Sequence, residues 1–339
     1  MDTPKLKMRS TSYDVARLAG VSQSAVSRCF KPSASVSKKM REKVMKAANE
    51  LNYQPNAIAR GLITRRSNLI SVLVSSQMNF YYPEVLFQLT DRFSVQLIRL
   101  LFFTINEECS LDEPIYLVWQ YQVDGVISAS HLSVEQHKVL EERGIPVVMF
   151  NRYFLDYPSN TVWCDATAAI DIMIQHLVDF GHKNFGLIEG PKYSMVSRER
   201  MSLSRNAIKK YGGTIVAEAR GNYRYESAAN ATQNLMTNKN QPTAILAAND
   251  MMAMGAFDEL KNVMGLSVPR DISVSGFDGI SASRFASYEL TTIRQPIGRM
   301  AEAAVTMMLD RIEKPETSSE KRVLAGSFIQ GTSTGLVLE

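Results

Sequence analysis

The stretch YDVARLAGVSQSAVSRCF, residues 13–30, decides the fold of the N-terminal part of the chain. Val15, Leu18 and Ala19 have a spacing suited to a helix that buries one side, and we expect these side chains to face inward. Gly20 comes next, and glycine tolerates the positive φ that a sharp turn requires. The stretch therefore predicts a first helix that ends in a tight turn.

A second helix is predicted over residues 23–30. Ser22 suits the N-cap position, because its hydroxyl can accept a hydrogen bond from a free backbone N–H group. Ala25, Val26 and Cys29 can then face inward. The polar residues of this helix form its outer face: Gln23, Ser24, Ser27 and Arg28. Two helices around a glycine turn are typical of the DNA-binding helix-turn-helix, and Gln, Arg and Ser are side chains that pair with base edges.

A third helix is predicted from Val36 to about Leu51, and its apolar residues Val44, Ala47 and Ala48 have helical spacing. This helix closes a small core. The basic residues at its start either contact phosphate or form a solvated face: Lys38, Lys39 and Arg41.

The charge of the chain is unevenly distributed. Residues 1–66 contain 14 Lys and Arg against 4 Asp and Glu, whereas the remainder contains 24 against 30. A basic end on an acidic body indicates a polyanionic partner for that end alone. The alternative is a solvated tail, but the apolar periodicity within the basic segment argues against it.

Residues 52–56, NYQPN, end the N-terminal segment, and Pro55 suits the first turn of a new helix. A helix over 56–62 is marginal in water because it is short, and Gly61 weakens it further. We expect this hinge to be frayed in the free protein and to fold on docking.

The remainder of the chain alternates strand-like and helical segments, which predicts βαβ units and parallel sheets. The strand candidates are 69–74, 99–105, 123–128, 146–151, 185–189, 244–248 and 272–276. In such sheets, ligands bind at the carboxyl ends of the strands. Polar residues stand at those ends, among them Ser75, Asn151, Asn249 and Asp278.

Composition excludes several classes of protein. The 339 residues, 45% of them apolar, suit two or three domains. No apolar run reaches the roughly 18 residues of a membrane span, and residues 1–9 lack the apolar run of a signal peptide. We therefore expect a cytoplasmic protein with no membrane partner. The three cysteines are expected to be reduced thiols, the four histidines do not cluster as metal ligands, and no catalytic motif or cofactor fingerprint is present.

The run YDVARLAGVSQSAVSR, then VS, then REKVMKAANELNYQPNAIARGL, resembles the headpiece and hinge of the LacI/GalR family of regulators. The resemblance implies that Gln23, Ser24 and Arg28 read bases in the major groove. It also implies a hinge helix whose Leu62 wedges between base steps in the minor groove, a role otherwise open to a buried linker residue. The full set expected to contact DNA is Tyr13, Ser22, Gln23, Ser24, Ser27, Arg28, Lys31, Asn56, Ala59 and Leu62.

The body resembles the effector domain of the same family in the segments VDGVI (123–127), HLVDFGHKNFGLIEGP (176–191), PTAILAANDMMAMGAFDELK (242–261) and LTTIRQP (290–296). The implied fold class is an all-α helix-turn-helix headpiece followed by an α/β periplasmic-binding-protein-like body of two Rossmann-like subdomains. The implied domains are a headpiece at 10–55, a hinge and linker at 56–67, and an effector-binding and dimerisation domain at 68–333.

The resemblance also implies an effector cleft between the two subdomains. The side chains expected to line it are Ser75, Tyr81, Tyr82, Asn151, Arg200, Tyr223, Asn249 and Asp278. Tyr81 and Tyr82 could instead be core or interface aromatics, and Asp250 is expected to cap a helix. His182 is expected to be a structural residue between a helix and a strand.

The function implied by the resemblance is that of a homodimeric transcription regulator, a repressor of a carbohydrate-use operon. Its partners would be pseudo-palindromic double-stranded operator DNA and a sugar-like effector. The alternatives are a regulator with no effector or a nucleobase-like one, an exported sugar-binding protein, and an enzyme.

Overall fold

A computed structural model describes residues 10–30, 34–55, 66–75, 80–105 and 112–337. The chain divides into two compact units, Met1–Ser67 and Asn68–Glu339. The first contains helices and the second, the body, is α/β.

Three helices make up the described part of the N-terminal unit: α1 (Ser12–Ala19), α2 (Gln23–Cys29) and α3 (Lys38–Glu50). A hydroxyl side chain caps the start of each helix. Thr11 forms a capping box with Asp14 on α1, Ser22 accepts from the backbone of α2, and Ser37 accepts from that of α3. Gly20 ends α1 at a φ of +59°, the left-handed conformation expected for the turn.

The core of this unit is small and centres on Val15, Val26 and Val44, each fully buried. The expectation that Leu18 faces inward is wrong, because its side chain is 47% exposed. At 100° per residue, Leu18 lies on the opposite side of Val15 from Ala19, and Ala16 is buried in its place.

Replacing Thr11 by alanine should lower the free energy of unfolding of the N-terminal unit by about 1 kcal/mol. The change removes the hydroxyl that serves both the backbone N–H and the side chain of Asp14. Hydrogen exchange of the backbone amides of α1, followed by NMR, would measure the loss. Ser35→Ala is the matched control, because Ser35 is exposed and caps no helix; an equal loss in both variants would contradict the capping role.

The body contains two parallel sheets. The six-stranded sheet has the order β11-β5-β4-β3-β1-β2, the four-stranded sheet has the order β7-β6-β8-β9, and β10 pairs antiparallel with β12. The strands are β1 (Leu69–Ser75), β2 (Arg99–Ile105), β3 (Gly125–Ser128), β4 (Val147–Phe150), β5 (Asn160–Asp165), β6 (Asn184–Glu189), β7 (Thr214–Arg220), β8 (Ala244–Ala247), β9 (Ser273–Ser275), β10 (Thr292–Arg294), β11 (Lys321–Ala325) and β12 (Ser327–Ile329).

Helices cover the sheets and bury their apolar faces. They are α4 (Tyr81–Val95), α5 (Asp112–Gln120), α6 (Val134–Glu142), α7 (Thr167–Asp179), α8 (Met195–Lys210), α9 (Tyr225–Met236), α10 (Asp250–Asp258) and α11 (Ile297–Glu313). A π-helical turn, Glu259–Val263, extends α10, and a short 3-10 helix spans Ser281–Arg284. The predicted α/β fold class is confirmed.

The chain crosses three times between the half built on the six-stranded sheet and the half built on the four-stranded sheet. It leaves the six-stranded half after β5, returns after β10 through Gln295 and Pro296 to α11, and leaves again between β11 and β12. Side chains near these crossings can therefore contact both halves.

His182 has the structural role expected of it. Its ring lies within hydrogen-bonding distance of the Thr243 hydroxyl (3.0 Å), the Ser273 hydroxyl (2.9 Å) and the Gly335 carbonyl (3.1 Å). Burial lowers the pKa of this histidine, which favours the neutral ring.

Candidate functional site

A cavity lies between the two halves of the body, at the carboxyl ends of their strands. All eight side chains expected at an effector site line it: Ser75, Tyr81, Tyr82, Asn151, Arg200, Tyr223, Asn249 and Asp278. Ser75 ends β1 and Asn151 directly follows β4. Asn249 and Asp278 follow β8 and β9 in the other half. The parallel topology therefore brings together residues that are far apart in the sequence.

Arg200 is fixed in the cavity wall by three contacts. Its Nη1 donates to the carbonyl of Ala248 (2.7 Å), and its Nη2 lies 3.0 Å from the Oδ1 of Asp278. The guanidinium carbon also lies 3.6 Å from the centre of the Phe277 ring. A planar fork held in this way can donate to adjacent hydroxyls or to an anionic group without reordering.

Asp278 shares its Oδ1 between Arg200 and Gln295, whose Nε2 donates to it over 2.8 Å. Burial raises the pKa of Asp278, and the charge of Arg200 and the bond from Gln295 oppose that rise. No role was predicted for Gln295, although it lies in the LTTIRQP segment, which carries the family resemblance.

Aromatic rings form a large part of the lining. Tyr81 and Tyr82 meet edge to face, with ring centres 5.8 Å apart, and both face the cavity while being more than nine-tenths buried. The Tyr223 hydroxyl lies 2.7 Å from that of Ser194. Three further aromatic residues of the lining were not predicted: Tyr153, Phe154 and Tyr193. No sequence signal separated them from other loop aromatics.

Three residues of the lining have positive φ angles without being glycine: Asn151 at +54°, Tyr223 at +67° and Asp278 at +120°. This region is unfavourable for residues with a Cβ, and such conformations persist only where the surrounding structure enforces them. Their concentration in one cavity marks it as a site whose side-chain directions are tightly constrained.

The prediction that Asp250 caps α10 is wrong. Asn249 is the N-cap, since its Oδ1 accepts from the backbone N–H of Met252 (3.0 Å). Asp250 is instead fully buried and accepts from the Ile280 N–H (2.9 Å) and the Thr292 hydroxyl (2.5 Å). Burial is the main cause that raises its pKa to about 7.

Ionisation of Asp250 should make the body less stable as the pH rises from about 4 to about 7. Its folded pKa lies above the ordinary 3.8, so the folded state retains a proton that the unfolded state has released. The stabilisation of the folded state by this proton is complete below the pKa of Asp250 in the unfolded chain. It is lost as the pH rises through the pKa of Asp250 in the folded chain. Asp250→Asn should remove this slope, which amounts to at most about 1.4 kcal/mol per pH unit. Urea denaturation of both proteins at several pH values measures it, and a pH-independent difference between them would contradict the assignment.

On the N-terminal unit, α2 presents a polar face. Ser24 and Arg28 are exposed and Gln23 and Ser27 are partly exposed, while the opposite face of the helix is buried. The Gln23 amide donates to the Ser12 hydroxyl over 3.3 Å. The ring of Tyr13 is 69% exposed. The other expected DNA contacts lie outside the described residues: Lys31, Asn56, Ala59 and Leu62.

Within the described ranges, no group of His, Cys, Asp and Glu could hold a metal ion. Over the same residues, no helix is long and apolar enough to cross a membrane.

Comparisons with known proteins agree with both units. Residues 11–56 match the family "Bacterial regulatory proteins, lacI family", and residues 174–334 match the "Periplasmic binding protein-like domain". The chain is 30% identical over 317 residues to the ribose operon repressor of Escherichia coli (strain K12), covering 92% of this chain and 96% of that protein. It is 30% identical over 319 residues to the HTH-type transcriptional repressor PurR of Vibrio vulnificus (strain CMCP6), covering 93% and 95%.

Among solved structures, the lac repressor dimer bound to operator and the anti-inducer ONPF is similar, with a TM-score of 0.85 and 27% identity. That alignment covers 96% of this chain and 99% of the other. The fold, the helix-turn-helix and the extent of these matches lead to one conclusion: the chain belongs to the lacI family of bacterial regulatory proteins.

Proposed function

We propose that the chain is a homodimeric repressor of a sugar-use operon, and that a sugar bound in the cavity between the two halves of the body changes its affinity for operator DNA. The observation that carries the proposal is the cavity itself, lined by Arg200, Asp278 and Asn151 from two halves. A ligand that contacts both halves binds one arrangement of them better than another, and this differential affinity is what can alter DNA binding.

The proposed contacts to DNA follow from the exposed face of α2 and from the resemblance to the LacI/GalR family. The exposed face of α2 enters the major groove, where Gln23, Ser24 and Arg28 read base edges. Tyr13, Ser22 and Ser27 contact or support the phosphate backbone. Outside the described residues, Lys31, Asn56 and Ala59 contact DNA and Leu62 wedges into the minor groove. The domains proposed are 10–55, 56–67 and 68–333. The protein acts in the cytoplasm and is not an enzyme.

D-Ribose is the first candidate for the effector. Ribose operon repressors are among the relatives with the strongest matches. The cavity also offers the fork of Arg200 beside the carboxylate of Asp278, and this alternation of donor and acceptor suits vicinal hydroxyl groups, which both donate and accept.

A purine is the second candidate. The observation in its favour is the set of aromatic rings in the cavity, including Tyr81, Tyr82 and Phe154, on which a flat base could stack. The similarity to PurR repressors is of the same extent as that to the ribose repressors.

A thermal-shift screen of the full chain decides between these candidates. At 100 times its Kd, an effector stabilises the folded state by about 2.7 kcal/mol. We expect D-ribose to raise the melting temperature, and hypoxanthine and D-glucose to leave it unchanged. If hypoxanthine alone raises the melting temperature, the effector is a purine and not a sugar. If no compound of either class raises it, the proposal of a sugar effector is contradicted.

A further inference from the structure

Gln295 connects the two halves of the body beneath the cavity. It is 1% exposed, follows β10 at one of the three crossings, and is not among the residues that line the cavity. Its Nε2 donates to Asp278 in the four-stranded half, as described above. Its Oε1 accepts from the Nδ2 of Asn151 (2.9 Å) and from the Tyr81 hydroxyl (3.3 Å), both in the six-stranded half.

The chemistry of these groups fixes the direction of every bond. Asp278 is ion-paired with Arg200, so its carboxylate can only accept. The Nε2 of Gln295 therefore faces Asp278, and its Oε1 faces the other way. Only a donor can meet that oxygen, so Asn151 turns its Nδ2 toward Gln295 and its Oδ1 away from it. The charge of Arg200 thus determines, through two side chains, how an amide in the other half is oriented.

Two acceptors result, one on each half of the cavity. Within the described residues, the bonds of these two side chains are made by the Nδ2 of Asn151 and the Oδ1 of Asp278, and neither the Oδ1 of Asn151 nor the Oδ2 of Asp278 accepts a hydrogen bond. The positive φ of Asn151, +54°, further restricts where its side chain can point. An amide held in this orientation accepts a hydrogen bond from a hydroxyl group and repels an atom that can only accept.

We propose that Gln295 is a positioning residue that holds the Asn151 amide with its oxygen toward the cavity, and thereby makes the site select a ligand hydroxyl that donates. This inference rests on the proposed function, because it requires the effector to bind in this cavity. Gln295 itself does not touch the ligand.

The orientation can be tested without a ligand. Exchange of the Asn151 side-chain amide protons, followed by NMR on the full-length protein, should be at least tenfold faster in Gln295→Met than in the wild type. Gln295→Glu keeps an oxygen facing Asn151, and as the protonated acid it can still donate to Asp278. At mildly acidic pH, the Asn151 exchange in this variant should therefore stay within about threefold of the wild type. Gln233→Met is the matched control, since it removes a glutamine bond to Glu259 on helices outside the cavity. Equal Asn151 exchange in the wild type and Gln295→Met overturns the proposal.

The selectivity is tested by titration calorimetry with D-ribose and its monodeoxy-monofluoro derivatives. Fluorine keeps the size of a hydroxyl group but cannot donate. We expect the wild type to bind one of these derivatives at least tenfold more weakly than D-ribose because of the Asn151 contact, a loss typical of one unmade buried hydrogen bond. That loss should fall to about threefold or less in Gln295→Met, whose Asn151 amide can turn, and persist in Gln295→Glu and Gln233→Met.

Each outcome separates this proposal from the proposed function. If all fluorinated derivatives bind the wild type as D-ribose does, the proposal is overturned while the sugar effector stands. If D-ribose does not bind but the exchange difference is present, the effector assignment falls and the positioning role of Gln295 stands. If Gln295→Met does not fold, loss of Asn151 protection in Gln295→Glu is the result that overturns the proposal.

Discussion

Replacing Arg200 by alanine should lower the free energy of unfolding of the body by about 3–5 kcal/mol, because it leaves the carboxylate of Asp278 buried without its cation. Both side chains are almost fully buried, at 8% and 5% exposure. An ionised group in such a place has lost its hydration, and the charge of Arg200 is the largest of the interactions that compensate the Asp278 carboxylate. The same change should abolish the effect of the sugar on operator binding.

Both tryptophans, Trp119 and Trp163, lie in the body, so their fluorescence during urea denaturation reports on this unit alone. Arg205→Ala is the matched control: Arg205 also pairs with carboxylates, but its side chain is 34% exposed, and we expect a cost of about 0–1 kcal/mol. Adding Asp278→Asn to Arg200→Ala should recover part of the loss. Equal costs for the two arginines would refute the argument from burial.

The second large effect concerns DNA. Arg28→Ala should reduce discrimination at one base pair of each half-site by about 1–3 kcal/mol, and a dimer reads two half-sites. Altering that base pair in both half-sites weakens operator binding by the wild-type protein. The same alteration should cost the variant about 2–6 kcal/mol less binding free energy than it costs the wild type. The reason is geometric: Arg28 lies exposed on the outer face of α2, where its fork can reach a guanine edge.

Fluorescence anisotropy at one fixed salt concentration measures this, with an operator selected from random DNA and its symmetric single-base-pair variants. Arg17→Ala is the control, because Arg17 is exposed on α1 and is not expected to read bases. Its loss should weaken binding to all sequences alike. If Arg28→Ala keeps the base preference of the wild type, the assignment of Arg28 as a base-reading residue is wrong.

Much of the fold was predictable because the informative signals are local. Each of the seven predicted strands is present, with ends that differ by at most two residues. Runs such as LISVLVS in β1 are buried along nearly their whole length and leave a continuous apolar pattern. The caps at Ser22 and Ser37 and the turn at Gly20 also depend on a few adjacent residues.

Five strands were missed. One of them, β5, lies inside its sheet and is buried, but its run NTVWCD contains only three apolar residues. The other four depend on distant partners. β7 lies at the edge of its sheet, and only one of its seven residues is buried. β11 lies at the edge of the other sheet in a polar segment. β10 and β12 are three residues long and exist because they pair with each other. Their hydrophobic pattern is too short or too weak to distinguish them from loops.

The cavity shows the same division. Arg200 and Asp278 could be assigned from motifs, and the topology brings them together. Gln295 could not, since its role arises from contacts with residues 17 and 144 positions away. The wrong choice of Asp250 as the cap has a similar cause. Asn249 and Asp250 have similar capping chemistry, and the long-range partners Ile280 and Thr292 hold Asp250 in the interior, which leaves the cap to Asn249.

The three chain crossings also bear on how the protein is made. During synthesis, α1 to α3 leave the ribosome first, and because their contacts are local they can fold at once. The six-stranded sheet, in contrast, awaits α11 and β11, which are translated after the whole of β6 to β9. The edge of β5 is therefore unpaired from the synthesis of Asp165 until that of Lys321, nearly half of the chain, a state in which nascent chains are prone to aggregate. If a ribosome stalls before Lys321, the N-terminal unit of the nascent chain can fold, but both halves of the body are still incomplete.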